Sequence, residues 1–184
     1  MKNQFRGYLT TDSGMWGLWN TFPYSNIKSY EDWESYFLTD ELISTQIREK
    51  NFVPINIEAD GNFEFQVKKG STIEAAVLTA REKKYVLVES GNYLINSKGK
   101  IAISGIEHIG SLDTLRKDED YGEITTDSDS YHVKIFLIEW DAEPGMLDSN
   151  QNKVQYALPD FIILLNPVSP DSERYSESIT TFSQ

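Results

Sequence analysis

The chain has 184 residues, 39% hydrophobic and 12% aromatic, enough to build one sizeable core. It holds no cysteine, which excludes disulfides, thiolate metal sites and a cysteine nucleophile. Its net charge of −12 repels nucleic acid and anionic membrane and favours a basic partner; residues 1 to 92 carry 10 basic against 13 acidic residues, a net of −3, and residues 93 to 184 carry 7 against 16, a net of −9.

The first residues, MKNQFRGYLTTDSG, lack the apolar stretch of a secretory signal, and no run of about 18 apolar residues follows, so a soluble cytoplasmic protein is expected. GMWGLWNTFPYSN then sets Trp16, Trp19, Phe22 and Tyr24 in what reads as a loop, and residues 1 to 52 hold 11 of the 23 aromatics. Two readings are open here: a lid of aromatics packed on a sheet, or exposed tryptophans that stack on sugars or anchor an interface.

In SYEDWESYFLTDELISTQIREK, Ser29 with Asp32 matches a capping box, and Tyr30, Trp33 and Phe37 recur at helical spacing. Thr39 before Asp40 and Glu41 restarts the pattern, with Leu42, Ile43 and Ile47 as the buried stripe. A helical insert over 29–50 is predicted, as one bent helix or two short ones.

FVPINIEADGNFEFQVKK, residues 52 to 69, holds two alternating segments around Asp60-Gly61 and predicts a hairpin with Phe63, Phe65 and Val67 on one face. STIEAAVLTAREKK, residues 71 to 84, reads as a strand ending in a helical turn at Ala80 to Lys83, although Ser71 and Glu74 also fit a helix cap. Tyr85 to Glu89, Tyr93 to Asn96 and Ile101 to Ser104 read as strands parted by turns at Ser90-Gly91 and Lys98-Gly99. YHVKIFLIEW (131 to 140) and DFIILLN (160 to 166) are near-continuous apolar runs, the mark of central strands covered on both faces. The ending SPDSERYSESITTFSQ is polar and serine-rich and reads as disordered or loosely packed, with Tyr175, Ile179 and Phe182 as the residues able to anchor it.

The fold expected is mainly β (α+β): an antiparallel β-sandwich with one or two short helices near the N-terminus. It forms a single β-rich domain over 1–168, followed by a polar tail over 169–184.

Two groups of acids stand out. On an extended strand Glu139, Asp141 and Glu143 share the face of Val133, Ile135 and Leu137, roughly 6.5 to 7 Å apart, a spacing open to a glycosidase pair or a cation; charged strand ends are also ordinarily just solvated. LDTLRKDEDYGEITTDSDSY adds Asp113, Asp118, Glu119, Asp120, Glu123, Asp127 and Asp129 against Arg116 and Lys117. Such runs are usually wet loops, but on one side with the 139 to 148 acids they would steer a cationic partner. MLDSNQNKVQY opens like a calcium loop at Asp148, Asn150 and Asn152, then supplies Lys153 and Pro159 where glycine and glutamate are required. His108 follows Glu107, a pairing open to general-base work and more often structural; His132 has no ligand-spaced partner. No nucleophile elbow, phosphate-cradling loop or zinc-protease helix is present, so no cofactor or metal is expected.

A layout in the second half resembles a known family. A hairpin, a strand pair, the lead-in EITTDSDSYHV (123 to 133), a long apolar strand, an acidic loop and the closing strand DFIILLNPV (160 to 168) are similar to the small acidic inhibitors of the bacterial competence nuclease. The likeness spans about residues 60 to 168; residues 1 to 51 and the tail lie outside it. It implies an acidic β-sandwich that blocks a basic nuclease by occupying its surface, within the broader class of toxin-immunity proteins, and it transfers no functional residue.

The reading placed first is therefore a non-enzymatic acidic binding protein that occupies a basic protein such as a nuclease or toxin, with neither nucleic acid nor membrane as partner. Glu139, Asp141, Glu143, Asp118, Glu119 and Asp120 would supply the charge, and Trp140, Trp19 and Tyr121 the aromatic anchors. The alternative is a ligand- or carbohydrate-binding β-sandwich with a carboxylate site at Glu139 and Asp141 and the N-terminal tryptophans as its platform.

Overall fold

The computed structural model describes residues 3–110, 120–168 and 175–183, with residues 3 and 4 by backbone alone. Two sheets pack face to face, as the alternation of apolar residues predicts. The larger sheet has the order β1 (Asn3–Thr11), β4 (Gly61–Lys69), β10 (Phe161–Pro167), β9 (Ser130–Ile138), β5 (Val86–Glu89), and β6 (Tyr93–Asn96) continues along β9 beyond β5. The smaller has the order β3 (Phe52–Asn56), β2 (Met15–Asn20), β7 (Lys100–Gly105), β8 (Tyr121–Thr125). Nearly all pairing is antiparallel; β4 and β10 are parallel, which the sequence did not disclose.

The first half of the stretch read as an aromatic loop is in fact β2, while residues 21–26, with Phe22 and Tyr24, form turns as expected. Trp16 points between the sheets onto Phe63 and Phe65, at ring separations of 5.3 and 5.5 Å, and Trp19 points to the other face with its indole N–H on Ser104. Two glycines of this stretch have structural reasons. A Cβ on Gly17 would lie 2.0 Å from the Phe52 ring, and Gly14 turns the chain at φ +67.

Two short helices cover the outer face of the smaller sheet. Ser29 caps α1 (Tyr30–Phe37) in a full capping box with Asp32, and Thr39 caps α2 (Asp40–Arg48). Tyr24 and Phe37 seat them, with Tyr24 6.1 Å from the Trp19 ring and Phe37 5.4 Å from Phe52.

The hairpin predicted over 52 to 69 does not form, because β3 and β4 belong to different sheets. Each strand has a better apolar partner, β2 for β3 and the parallel β10 for β4, so the link crosses the sandwich through Glu58 at φ +57. The Lys98-Gly99 link crosses likewise between β6 and β7. The segment 71–79 is not a strand; it runs irregularly over the outer face of the larger sheet into α3 (Ala80–Lys84), capped by Thr79. There Ala76, Leu78 and Leu158 cover Phe136, Ile138, Ile162 and Leu164, so β9 and β10 are buried on both faces.

The described part of the tail is packed onto the body. Thr181 bridges Asn56 in parallel, and Phe182, 2% exposed, sets its ring 5.5 Å from Phe161. Among the described residues no helix is long and apolar enough to cross a membrane.

Candidate functional site

Strand β9 stops at Ile138, so the alternation that put Glu139, Asp141 and Glu143 on one face ends there. Glu139 leaves the extended region at φ −83, ψ 68, and Trp140–Ala142 form a single 3₁₀ turn. Glu139 and Asp141 remain exposed, and neither makes an ion pair among the described residues. Glu143 is instead drawn onto α3, where Arg81 grips it through Nε at 2.8 Å and through Nη2 at 2.7 Å. Those hydrogen bonds hold the Glu143 carboxyl below the usual range. Its charge is satisfied within the chain.

Trp140 sits half-buried between the two exposed acids and is fixed from behind. Its indole N–H donates to Asp160 at 2.7 Å, and Lys153 lies 4.7 Å over the ring. Beneath it runs a chain of charges: Arg6 on Glu64 at 2.7 Å, Glu64 on Lys153 at 3.0 Å, Lys153 on Asp160 at 3.4 Å. Burial alone would raise the Glu64 carboxyl; hydrogen bonds from Arg6 and Lys153 reverse this and hold it low. Sequence reasoning missed Arg6, Glu64, Lys153 and Asp160, because their contacts join positions from 7 to 151 residues apart.

The run from 113 to 129 divides. Asp113, Asp118 and Glu119 lie outside the described residues. Asp120 accepts the backbone N–H of Thr10 at 3.1 Å, and His108 Nε2 stands 3.9 Å from both Asp120 and Glu107. Glu107 is otherwise engaged by the Thr11 hydroxyl and the Asp12 N–H, so Glu107 clasps the β1–β2 turn. Tyr121, next along, is half-buried against the core. Glu123 and Asp127 lie toward the opposite end of the sandwich, paired to Lys100 at 2.9 Å and to Lys69 at 3.2 Å.

Register decides which acids meet. Thr10 lies opposite Asn62, Phe161 opposite Phe65, and Leu137 opposite Phe161, so the ends of β1 and β9 and the starts of β4 and β10 share one end of the larger sheet. Asp120 beside Thr10 and Glu139 after β9 are thus at the same end, three strand spacings or roughly 14 Å apart. Asp12 and Asp60 are exposed at that end as well.

Other candidates fall away. Trp19 is fully buried and cannot anchor a partner, and Trp16 is buried with it. The Asp148 loop closes on itself: one carboxylate oxygen accepts the N–H groups of Asn150 at 2.8 Å and Asn152 at 2.9 Å, holding that carboxyl low. Among the described residues no group of three histidine or acidic side chains is placed to hold a metal.

The sequence matches no protein-family model and no curated protein. Two solved structures are similar. One, described as "Crocagin biosynthetic gene J", has a TM-score of 0.53 at 13% identity, over 89% of this chain and 98% of its own, a likeness of fold. The other is ComJ of Bacillus subtilis, described as an inhibitor of the DNA-degrading activity of NucA, with a TM-score of 0.48 at 8% identity over 91% of this chain and 98% of its own. The chain is an α+β β-sandwich, a fold that it shares with the first of these two structures.

Proposed function

We propose that the chain is a non-enzymatic binding protein of inhibitor or immunity type, which occupies a basic protein partner with the acidic end of its larger sheet. One observation carries this reading. Acids from positions 12, 60, 120, 139 and 141 gather at one end of the larger sheet, Asp120 beside His108 and the others without an ion pair among the described residues, while Glu64, Glu82, Glu89, Glu123, Asp127, Glu143 and Asp160 are paired to cations of the same chain; Glu31, Asp40, Glu41 and Glu49 on and beside the helices are exposed and unpaired as well. Charge left unpaired in one place sets the encounter rate and orientation of a cationic surface. Trp140, held before any partner arrives, offers contact area at little cost in side-chain entropy. The layout of residues 60 to 168 suggests a nuclease as the partner class, acting in the cytoplasm, where a chain without cysteine needs no disulfide.

The test is binding of the purified chain to an immobilised basic nuclease of the competence type. Binding should weaken steeply between low and about 0.5 M salt, where the screening length falls to a few ångströms. It should also be lost in the triple variant Asp120→Lys, Glu139→Lys, Asp141→Lys. Affinity indifferent to both salt and charge reversal overturns the proposal.

The carbohydrate reading has less to stand on. Its platform was Trp16 and Trp19, and both are inside the core.

A further inference from the structure

Three aromatic residues surround the charge chain of Arg6, Glu64, Lys153 and Asp160 on the outer face of the larger sheet. Tyr8 lies directly opposite Glu64 across β1 and β4 and is 55% exposed. Partial burial and the nearby Glu64 and Asp160 carboxylates push its hydroxyl up, a mark of how close it stands to both. Tyr156, 64% exposed, stands beside the same chain: the Ala157 carbonyl next to it accepts Arg6 Nη2 at 3.0 Å, and its own carbonyl accepts Arg81 Nη2 at 3.0 Å. Trp140 closes the other side through Asp160.

Neither tyrosine belongs to a hydrophobic cluster of the interior, so packing does not account for them. The floor between the rings is neutral, because Arg6 and Lys153 each sit against a carboxylate. The core of an interface has this makeup, with tyrosine, tryptophan and arginine present and unpaired charge absent. Acids flank it on both sides. Asp120 accepts the N–H of Thr10, two residues along β1 from Tyr8, and Glu139 and Asp141 are exposed on either side of Trp140.

A group that suits both the rings and the acids must be flat and cationic at once. A guanidinium meets both demands, since it stacks on an aromatic face while keeping its charge, whereas an ammonium is a compact and strongly hydrated point charge. We propose that arginine side chains of a basic partner protein seat here, stacked on Tyr8 and Tyr156 with their charge turned to Asp120, Glu139 and Asp141. The assignment rests on the acidic end as the binding face, and it extends the contact from there onto the outer face of the larger sheet.

The experiment is calorimetric titration of the full chain with end-blocked hexa-arginine and hexa-lysine peptides at about 50 mM salt, where charge still reaches well beyond contact. The two peptides carry the same charge, so the acids alone would treat them alike. Hexa-arginine should bind about three- to ten-fold tighter. Tyr8→Ala with Tyr156→Ala, at two exposed positions, should keep the circular dichroism spectrum and erase that preference, with little change for hexa-lysine. Tyr30→Ala, at an exposed tyrosine of α1, should preserve it. Equal affinity for the two peptides, or no binding of either, overturns the proposal, and so does a preference that survives the double variant. Those results leave the acidic end standing if Asp120→Lys, Glu139→Lys, Asp141→Lys weakens binding of the immobilised nuclease. If the triple variant binds the nuclease and both peptides as wild type does, the acidic end itself fails and the arginine seat with it.

Discussion

One oxygen of Asp160 accepts the Trp140 indole N–H at 2.7 Å, and the other accepts the backbone N–H of Glu64 at 2.8 Å. A single carboxylate thus ties the half-buried aromatic to the middle of the larger sheet. Asp160→Ala strands the Glu64 donor and the Trp140 indole N–H and removes one of the two carboxylates on Lys153, so a loss of about 1–3 kcal/mol is expected from the unsatisfied groups. Thermal unfolding measures the loss, and Trp140 emission should shift toward that of a hydrated indole. An unchanged midpoint and spectrum would mean that Trp140 is held by packing alone.

The four tryptophans should separate by accessibility. Acrylamide is the suitable quencher, since the acids around Trp140 repel iodide. Trp140→Phe should remove much of the quenchable emission, because Glu139 and Asp141 leave that ring half open, whereas Trp16→Phe and Trp19→Phe should remove emission that acrylamide does not reach. Quenching lost instead with Trp19→Phe would return the N-terminal aromatics to the surface.

Much of this architecture is legible in the sequence where the signal is local. The capping residues Ser29 and Thr39 mark both helices, and the apolar runs at 131 and 160 mark the two central strands, because caps and periodicity act within a few residues. What failed was non-local. Asp60-Gly61 looks like a hairpin, yet whether flanking strands pair depends on competing partners, and the stretch around Gly17 reads as a loop although it pairs as β2, with Phe52 occupying the Cβ space of Gly17. The acidic site was half legible for the same reason. Glu139, Asp141 and Asp120 could be picked out as charged, but that Glu143 would turn to Arg81 and Asp120 would reach Thr10 follows only from register.

The buried pair of Lys68 and Glu82 gives a pH test. Lys68 Nζ donates to both carboxylate oxygens, and Glu82 also accepts the Thr79 N–H, which fastens α3 to β4. Burial acts to raise the Glu82 carboxyl, but the Lys68 and Thr79 hydrogen bonds prevail and hold it below the usual carboxylate range. A depressed carboxylate contributes stability that is present above the unfolded value and lost as pH falls through the folded one. The melting temperature should therefore fall below about pH 4.5, more steeply in wild type than in Lys68→Met/Glu82→Leu. Glu82→Gln alone leaves Lys68 uncompensated and should cost about 3–5 kcal/mol at neutral pH, while the double apolar variant should cost far less. Equal losses in the single and double variants would deny the pair its coupling.

Phe182 tests whether the tail belongs to the body. Its ring meets Phe161 edge-on at 5.5 Å, its N–H donates to Asn56 O at 2.8 Å, and its side chain is 2% exposed, so it closes the corner between β3 and the larger sheet. Phe182→Ala should cost about 3–5 kcal/mol, as for an aromatic removed from a packed core. Truncation after residue 174 should cost at least as much, because the bonds from Tyr93 to Ser178 and from Ser176 to Asn92 go with it. It should also bare β6 and the β3 edge, so the truncated chain should gain amide exchange at Tyr93 to Asn96 and aggregate more readily than the full chain. If truncation leaves both the midpoint and those amides unchanged, the body ends at residue 168 and the aromatic contact contributes nothing to its stability.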